Sequence, residues 1–414
     1  MSAPGRTELD RVFRSEHGRI VAALARRFGD LDIAEEAAQE AYLVALQRWS
    51  QTGAPPNPGA WLTTTAQNKA IDRIRRESTR DARHGAAALI NGPDDPDDDA
   101  VSAVVDDRLR LMFTCCHPAL AVGAQVALTL RLLGGLTVAE IAGAFFVDEA
   151  AMAKRLTRSK QKIKAARIPY RVPPDAELPN RLGGVLATLF LIFNEGYLPS
   201  SSASDDAREV RTDLCTEAIR LTRILAALMP DEPEVLGLLA LMLLSEARRP
   251  GRFDGGALVP LPQQDRTRWS GELIEQGHAL VRECLRQNRP GRYQILAAIN
   301  AVHTDAAAAD RTDWPQVVAL YDRLRELDSS PVVALNRAIA VAEVDGPDAA
   351  LAILDTVNLD GYHAFHATRA DLLLRAGRAA EAGAAYRKAV SLAGNPAERA
   401  FLLGRIEQLE GSGR

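Results

Sequence analysis

Apolar residues recur at three- and four-residue spacing along almost the whole chain, as in Phe13, His17, Ile20, Val21, Leu24 and Phe28, which fall on one helical face. No sustained period-two stretch bounded by hairpin turns interrupts that pattern, so the expected fold class is all-α. With 414 residues, 47% of them apolar and 25% charged, the chain can bury a sizeable core and has room for two or three domains. Its longest apolar run, Leu236 to Leu244, stops at Ser245 and Glu246, well short of the ~20 residues that span a bilayer. Met1 to Asp10 carry no apolar stretch behind their charges, so neither a signal peptide nor a membrane partner is expected, and a cytoplasmic location is. Four cysteines, two of them adjacent at Cys115 and Cys116, cannot build a disulfide framework and read as buried thiols.

The net charge of −4 conceals a segregation. Lys154, Arg155, Arg158, Lys160, Lys162, Lys164, Arg167 and Arg171 follow one another with no acid among them, while Asp94, Asp95, Asp97, Asp98, Asp99, Asp106 and Asp107 contain no base. A polyanion that touches part of the surface is compatible with that distribution.

Composition divides the chain. A helical module over residues 1–83 gives way to an acidic, Gly-Pro punctuated stretch, 84–103, that reads as a flexible linker. A second short helical module covers 104–168, and prolines at Pro169, Pro173, Pro174 and Pro179 mark a junction over 169–180. The remainder, 181–414, is an Arg-rich helical extension in which Lys388 is the only lysine. Within it, from about residue 313, Val317, Tyr321 and Leu324 recur as Ala350, Leu354 and Val357 and again as Ala382, Tyr386 and Ala389, displaced by 33 and then 32 residues. Pro331 and Pro396 stand ten residues after the two tyrosines, where a proline ending the second helix of a pair is expected. The pattern resembles tetratricopeptide helix pairs, with unstacked antiparallel pairs as the alternative.

Three elements could contact a partner. Thr137 and Glu140 form a capping box, and Asp148 can cap the following helix, giving helix, tight turn, helix. On that second helix Met152, Leu156, Ser159 and Ile163 share one face, while Ala151, Lys154, Arg155, Arg158 and Lys162 share another. Such a helix can lie in a major groove, with Glu149, Ala150, Ala151 and Lys154 at base edges, Arg155 and Arg158 shared between bases and backbone, and later residues such as Lys162 holding phosphates. Lys69, Arg73, Arg76 and Arg80 line a second cationic face, just after a Pro-rich loop containing Asn57 and the ring of Trp61. Stacking and backbone attraction could hold a single strand there, although a tryptophan such as Trp61 is more often core than a base platform, and Asn68 and Asp72 more readily pack or cap the helix than read bases. The third element, Asp32 to Glu40, gathers acids at a helix start, where the helix dipole favours them with or without a docked protein.

Catalysis has little support. Cys116 and His117 are adjacent and point apart on a helix, His363 and His366 lack further ligands nearby, and no phosphate-cradling glycine loop is present, so no catalytic residue, metal or cofactor is expected.

Together these motifs resemble the extracytoplasmic-function (ECF) sigma factors of bacterial RNA polymerase. Region two of that family is matched by Ala34-Glu35-Glu36-Ala37-Ala38-Gln39-Glu40 and by the helix from Ala60-Trp61-Leu62 to Asp72-Arg73. Region four is matched by Leu136 to Ala142 with Lys154 to Ser159. Phe113-Thr114-Cys115-Cys116-His117-Pro118 and Phe193-Asn194-Glu195-Gly196-Tyr197 resemble signatures of the subgroup with a long C-terminal helical extension. The resemblance implies that Asp32, Glu35, Glu36, Gln39 and Glu40 dock on core polymerase. By the same resemblance Asn57, Trp61, Asn68, Lys69, Arg73, Arg76 and Arg80 hold the melted minus-ten strand, and the face from Glu149 to Lys162 reads the minus-thirty-five element of promoter DNA. Phe146 stands where the turn of this motif often has glycine, so a longer or differently shaped turn is expected. The short junction suggests that the extension docks on the two DNA modules of its own chain and is needed for activity. Two other classes fit parts of the pattern: a helix-turn-helix regulator that works without polymerase, and a helical-repeat scaffold for another polyanion such as RNA.

Overall fold

A computed structural model of the chain describes residues 6–81, 107–145, 147–197, 205–254, 257–394 and 396–412. It resolves into two compact units, residues 1–195 and 196–414. Every regular element among the described residues is helical except a two-residue hairpin, β1 (Phe253–Asp254) against β2 (Ala257–Leu258), so the all-α class holds.

In the first unit α1 (Arg6–Phe28), α2 (Leu31–Thr52) and α3 (Pro58–Asp81) pack on one another. The α1 face read from the sequence is inside: Phe13, His17, Ile20, Val21 and Leu24 are all buried. Opposite it α2 presents Ala34, Ala37, Ala38, Ala41 and Ala45, all buried, and these small side chains let the helices approach closely. Asp30 caps α2 by accepting from the amides of Asp32 and Ile33, and Gly53, at φ 77°, ends it.

The rest of the unit begins with α4 (Asp107–Cys115) and α5 (Val122–Leu128), which runs into a π-helical turn, Thr129–Leu133; α6 (Val138–Ala144) and α7 (Glu149–Ala165) follow. The capping box at Thr137 and Glu140 is formed, and Asp148 caps α7 by accepting from Ala151 N. Met152, Leu156, Ser159 and Ile163 are the buried face of α7, as their spacing requires. Beyond the Pro-rich junction, α8 (Leu178–Tyr197) still bonds to this module: Arg181 donates to Phe113 O at 2.7 Å and Thr188 meets Gln125 at 3.2 Å. The first compact unit therefore takes in residues that the sequence assigns to the extension.

The two modules of this unit touch through backbone. A Cβ on Gly18 of α1 would lie 2.8 Å from Leu133 O, so only glycine lets α1 sit this close to the π turn. That turn leaves the carbonyl of Arg131 to accept from His17 Nε2 at 3.2 Å, and the Tyr170 hydroxyl reaches Ala22 O at 2.8 Å.

In the second unit α9 (Asp205–Leu228) precedes α10 (Pro233–Ala247), whose residues Val235 to Leu244 are buried on all sides. That burial accounts for the longest apolar run of the sequence, because a helix apolar all round belongs inside a core. α10 packs against α9, α11 (Gly271–Gln287) and α12 (Arg292–Asp305). Helix pairs then follow: α13 (Trp314–Leu327) with α14 (Pro331–Val344), α15 (Pro347–Leu354) with α16 (His363–Arg375), and α17 (Ala379–Leu392) with α18 (Pro396–Ser412). Of the nine repeated positions, Val317, Leu324, Ala350, Leu354, Ala382, Tyr386 and Ala389 are buried on the first helix of each pair, whereas Tyr321 is half-buried on α13 and Val357 half-buried just beyond the end of α15. One expectation is corrected: Pro331 and Pro396 open the second helix of a pair and do not end it. The first helical position has no intrahelical use for an N–H, which suits proline.

Candidate nucleic-acid interface

On α7, Glu149, Ala150, Ala151, Lys154, Arg155, Arg158 and Lys162 are all exposed, opposite the buried face. None of Lys154, Arg155, Arg158 and Lys162 forms an ion pair with a described carboxylate, so their charge is available to a polyanion. Lys160 and Lys164 on the same helix turn towards α2 instead. Phe146 lies outside the described residues; on either side of it, Phe145 caps α6 at φ −101° and Val147 N donates to Ala142 O at 3.0 Å.

The α3 face is differently occupied. Asn57 accepts from Ala60 N at 3.0 Å and thereby caps the helix, and Trp61, half-buried, sets its ring edge-on to the buried Trp49 at 5.2 Å. Lys69 pairs with Glu40 at 3.6 Å and Arg73 with Glu36, so two cations of the stripe already face acids of α2. Asn68 is exposed, as is Arg76, whose Nε bonds to Asp72 O at 3.2 Å; the side chain of Arg80 lies outside the described residues.

The acids of α2 divide by the turn of the helix. Asp32 and Glu36 are exposed and Gln39 and Glu40 half-buried, whereas Glu35 retains 8% exposure. Glu35 accepts from Arg131 Nε at 2.5 Å and from Lys160 Nζ at 2.9 Å, Lys160 also pairs with Asp32, and Lys164 meets Asp30 at 3.3 Å. A further pair, Arg14 with Glu140 at 2.5 Å, joins α1 to α6. Burial pushes the Glu35 carboxyl up, but Arg131 and Lys160 outweigh it and hold the group below its usual range. Burial likewise disfavours the Lys160 ammonium, yet Glu35 and Asp32 prevail and raise it.

In the sequence Lys160 counts only as one charge of the basic run, and neither Arg131 nor Arg14 stands out. Their partners lie about a hundred residues away along the chain, which no local pattern reveals. A local sign existed for Glu35 alone: it sits on the alanine-lined side of α2, three residues before Ala38, while Glu36 is exposed and Glu40 half-buried.

Elsewhere the reactive side chains are engaged in packing. Cys115 and Cys116 are buried and burial pushes both thiols up, so neither is a ready nucleophile. His363 meets Glu398 at 3.1 Å and His366 meets Asp360 O at 2.9 Å, so the two histidines serve different partners. Among the described residues no group of histidines, cysteines and acids is placed to hold a metal, and no helix is long and apolar enough to cross a membrane.

Residues 12–80, which span α1 to α3, match sigma-70 region 2. The ECF RNA polymerase sigma factor SigK of Mycolicibacterium vanbaalenii is 30% identical over 145 residues, covering 33% of this chain and 70% of that protein. The chain belongs to the ECF sigma factors. SigK of Mycobacterium ulcerans is 35% identical over 127 residues, 30% of this chain and 66% of its own length, so the likeness to these ECF sigma factors is confined to the N-terminal third. Outside it, residues 181–285 match a family of unknown function, DUF6596. An uncharacterized protein of Rhizobium meliloti is 43% identical over 409 residues, 97% of this chain and 96% of that one, and so shares both the ECF sigma module and the extension. No solved structure matches the chain.

Proposed function

We propose that the chain is an alternative sigma factor that binds core RNA polymerase and directs promoter recognition, with α7 on the minus-thirty-five element and α3 on the melted minus-ten strand. The exposed face of Lys154, Arg155, Arg158 and Lys162, unpaired with any described acid, carries this reading. The two promoter elements lie about 25 base pairs apart, about 85 Å at ~3.4 Å per base pair. Modules packed as closely as Gly18 is to Leu133 cannot serve both at once. On this reading the packed arrangement is a resting form, and polymerase, by competing for Asp32 and Glu35, draws α7 away from α2. Residues 84–103, extended at ~3.5 Å each, reach about 70 Å, enough with the width of the modules to span the promoter.

The test is run-off transcription with purified chain and core bacterial polymerase, combined with an inter-dye distance between Asn68 and Thr157. Promoter-specific transcript together with a longer distance in the holoenzyme is the expected result. Absence of specific transcript refutes the sigma role, and transcript with an unchanged distance refutes the opening. The extension is proposed to act on the sigma modules of the same chain. Truncation after Tyr197, which keeps α8 on the first unit, is then expected to abolish the transcript, and full activity of the truncated chain refutes that dependence.

A further inference from the structure

The second unit carries a half-open cavity of about 740 Å³ whose wall runs from Arg266, before α11, through His303 on α12 and Tyr321 on α13 to Arg405 on α18. At one end cationic groups gather, with Asp310 acting on Arg266 from a distance but forming no ion pair with it. Arg248, the C-cap of α10, donates from Nη2 to Asn300 Oδ1 at 2.5 Å, but its Nε is shut off from water and finds no partner among the described residues. Burial and the neighbouring guanidiniums of Arg252 and Arg266 push its pKa down. Arg266 donates to the backbone carbonyls of His303 and Ala306 and lies over the Trp269 ring at 4.7 Å. No described carboxylate pairs with Arg248 or Arg266. His303 Nδ1 is also buried without a partner, and burial together with the two arginines pushes the imidazole down to about 4.

The other end of the same cavity is built differently. Arg375 pairs with Glu343 at 2.6 Å and Arg405 with Asp371 at 3.2 Å. A buried guanidinium whose charged neighbours are more guanidiniums is costly to retain, because neither water nor an opposite charge offsets its desolvation. Here the missing charge has a place: Arg266, His303 and Tyr321 line the cavity, and Arg248, itself outside the lining, is near enough to His303 and Tyr321 to act on both electrostatically.

We propose that this cavity binds a small organic oxyanion, a carboxylate or a phosphate, against Arg248, Arg266 and His303. The volume fits a molecule of metabolite size, and Trp314, Tyr386 and Phe401 on the wall suit an apolar or aromatic body behind the anionic group. The inference concerns binding alone and stands whether or not the chain serves a polymerase.

The experiment is thermal unfolding of the full chain with phenyl phosphate, with benzoate and with sodium chloride at matched ionic strength. At about a hundredfold excess over Kd, one of the two oxyanions is expected to raise the Tm of the second unit by about 5–10 °C. Response to phenyl phosphate assigns a phosphate ligand and response to benzoate a carboxylate. Arg248→Met is expected to leave Tm without ligand unchanged or higher and to abolish the shift; Arg266→Gln, nearer the surface, is expected to weaken the shift at least tenfold in ligand concentration and serves should the first variant not fold. The proposal is overturned if neither oxyanion exceeds chloride, or if the variants retain the wild-type shift.

Discussion

The cationic faces of α3 and α7 look alike in sequence and differ in the folded chain. On α3, Lys69 and Arg73 already face Glu40 and Glu36 of the neighbouring helix. On α7, Lys154, Arg155, Arg158 and Lys162 project from a helix whose acidic neighbours are taken by Lys160 and Lys164 on its other side. A run of like charge is thus divided by helical rotation into a structural half and a free half. Only the free half carries an electrostatic potential that a duplex would meet unopposed.

The largest expected effect tests that contrast. Replacing Lys154, Arg158 and Lys162 together with alanine should flatten the slope of log affinity against log salt for holoenzyme on promoter DNA by up to ~2.7, at ~0.9 per phosphate contact. It should also lower affinity at least a hundredfold at moderate salt. Lys69→Ala with Arg73→Ala should change the slope by less than one such contact, since their charge is already matched within the protein. Equal slopes for the two variants would break the comparison.

A second contrast lies between neighbouring acids of α2. Glu35→Gln leaves Arg131 and Lys160 facing a neutral amide in a nearly dry site and should destabilise the first unit by about 3–5 kcal/mol. Glu36→Gln removes one partner of an exposed pair and should cost about 0–1 kcal/mol. Urea unfolding followed through Trp49 and Trp61 measures both, and similar midpoints would show that the Glu35 cluster holds nothing together.

Much of this was legible from spacing alone, because helix faces and caps are local. The buried sides of α1 and α7, the capping box at Thr137 and the cap at Asp148 all follow from residues within a turn or two of one another. Pairing of Glu35 with Arg131 and Lys160 depends on how two modules meet and leaves no periodic trace. The membership of α8 was hidden for the same reason: prolines announce that a helix stops, and Arg181 binding back to Phe113 O is a matter of tertiary packing. Pro331 shows a subtler failure. A proline near a helix boundary gives the boundary's position, while its side is decided by whether a cap such as Ser330 precedes it.

The contact between modules has an apolar as well as an ionic part, and glycine separates them. Gly18→Ala puts a methyl group 2.8 Å from the Leu133 carbonyl, which backbone on both sides must relieve, for an expected loss of about 1–3 kcal/mol. Gly143→Ala on α6, where an added Cβ meets nothing within 4 Å, should leave stability unchanged or raise it by about 0.5–1 kcal/mol. If both substitutions behave as the second does, the close approach of α1 to the π turn is not a constraint on the fold.

The smallest effect is the most diagnostic of which charges hold the modules together. Glu35 and Asp30 titrate below their ordinary values of 4.5 and 3.8, so their contribution is present above those values and is lost as pH falls through the lowered ones. Lys160 titrates above 10.5, so its contribution is complete below that value and is lost as pH rises past it. The part of the first unit's stability owed to these three groups should therefore be level between these limits and fall on both sides, on top of a decline above 9.0 from the raised thiols of Cys115 and Cys116 and one below 6.5 from the lowered His117. In Glu35→Gln the acid limb should shrink to the part owed to Asp30, and the alkaline limb should shrink too, because the group that holds Lys160 charged has lost its own charge. An unchanged alkaline limb in that variant would mean that Asp32 alone holds the lysine, and would move the centre of the contact from the buried acid of α2 to the exposed one.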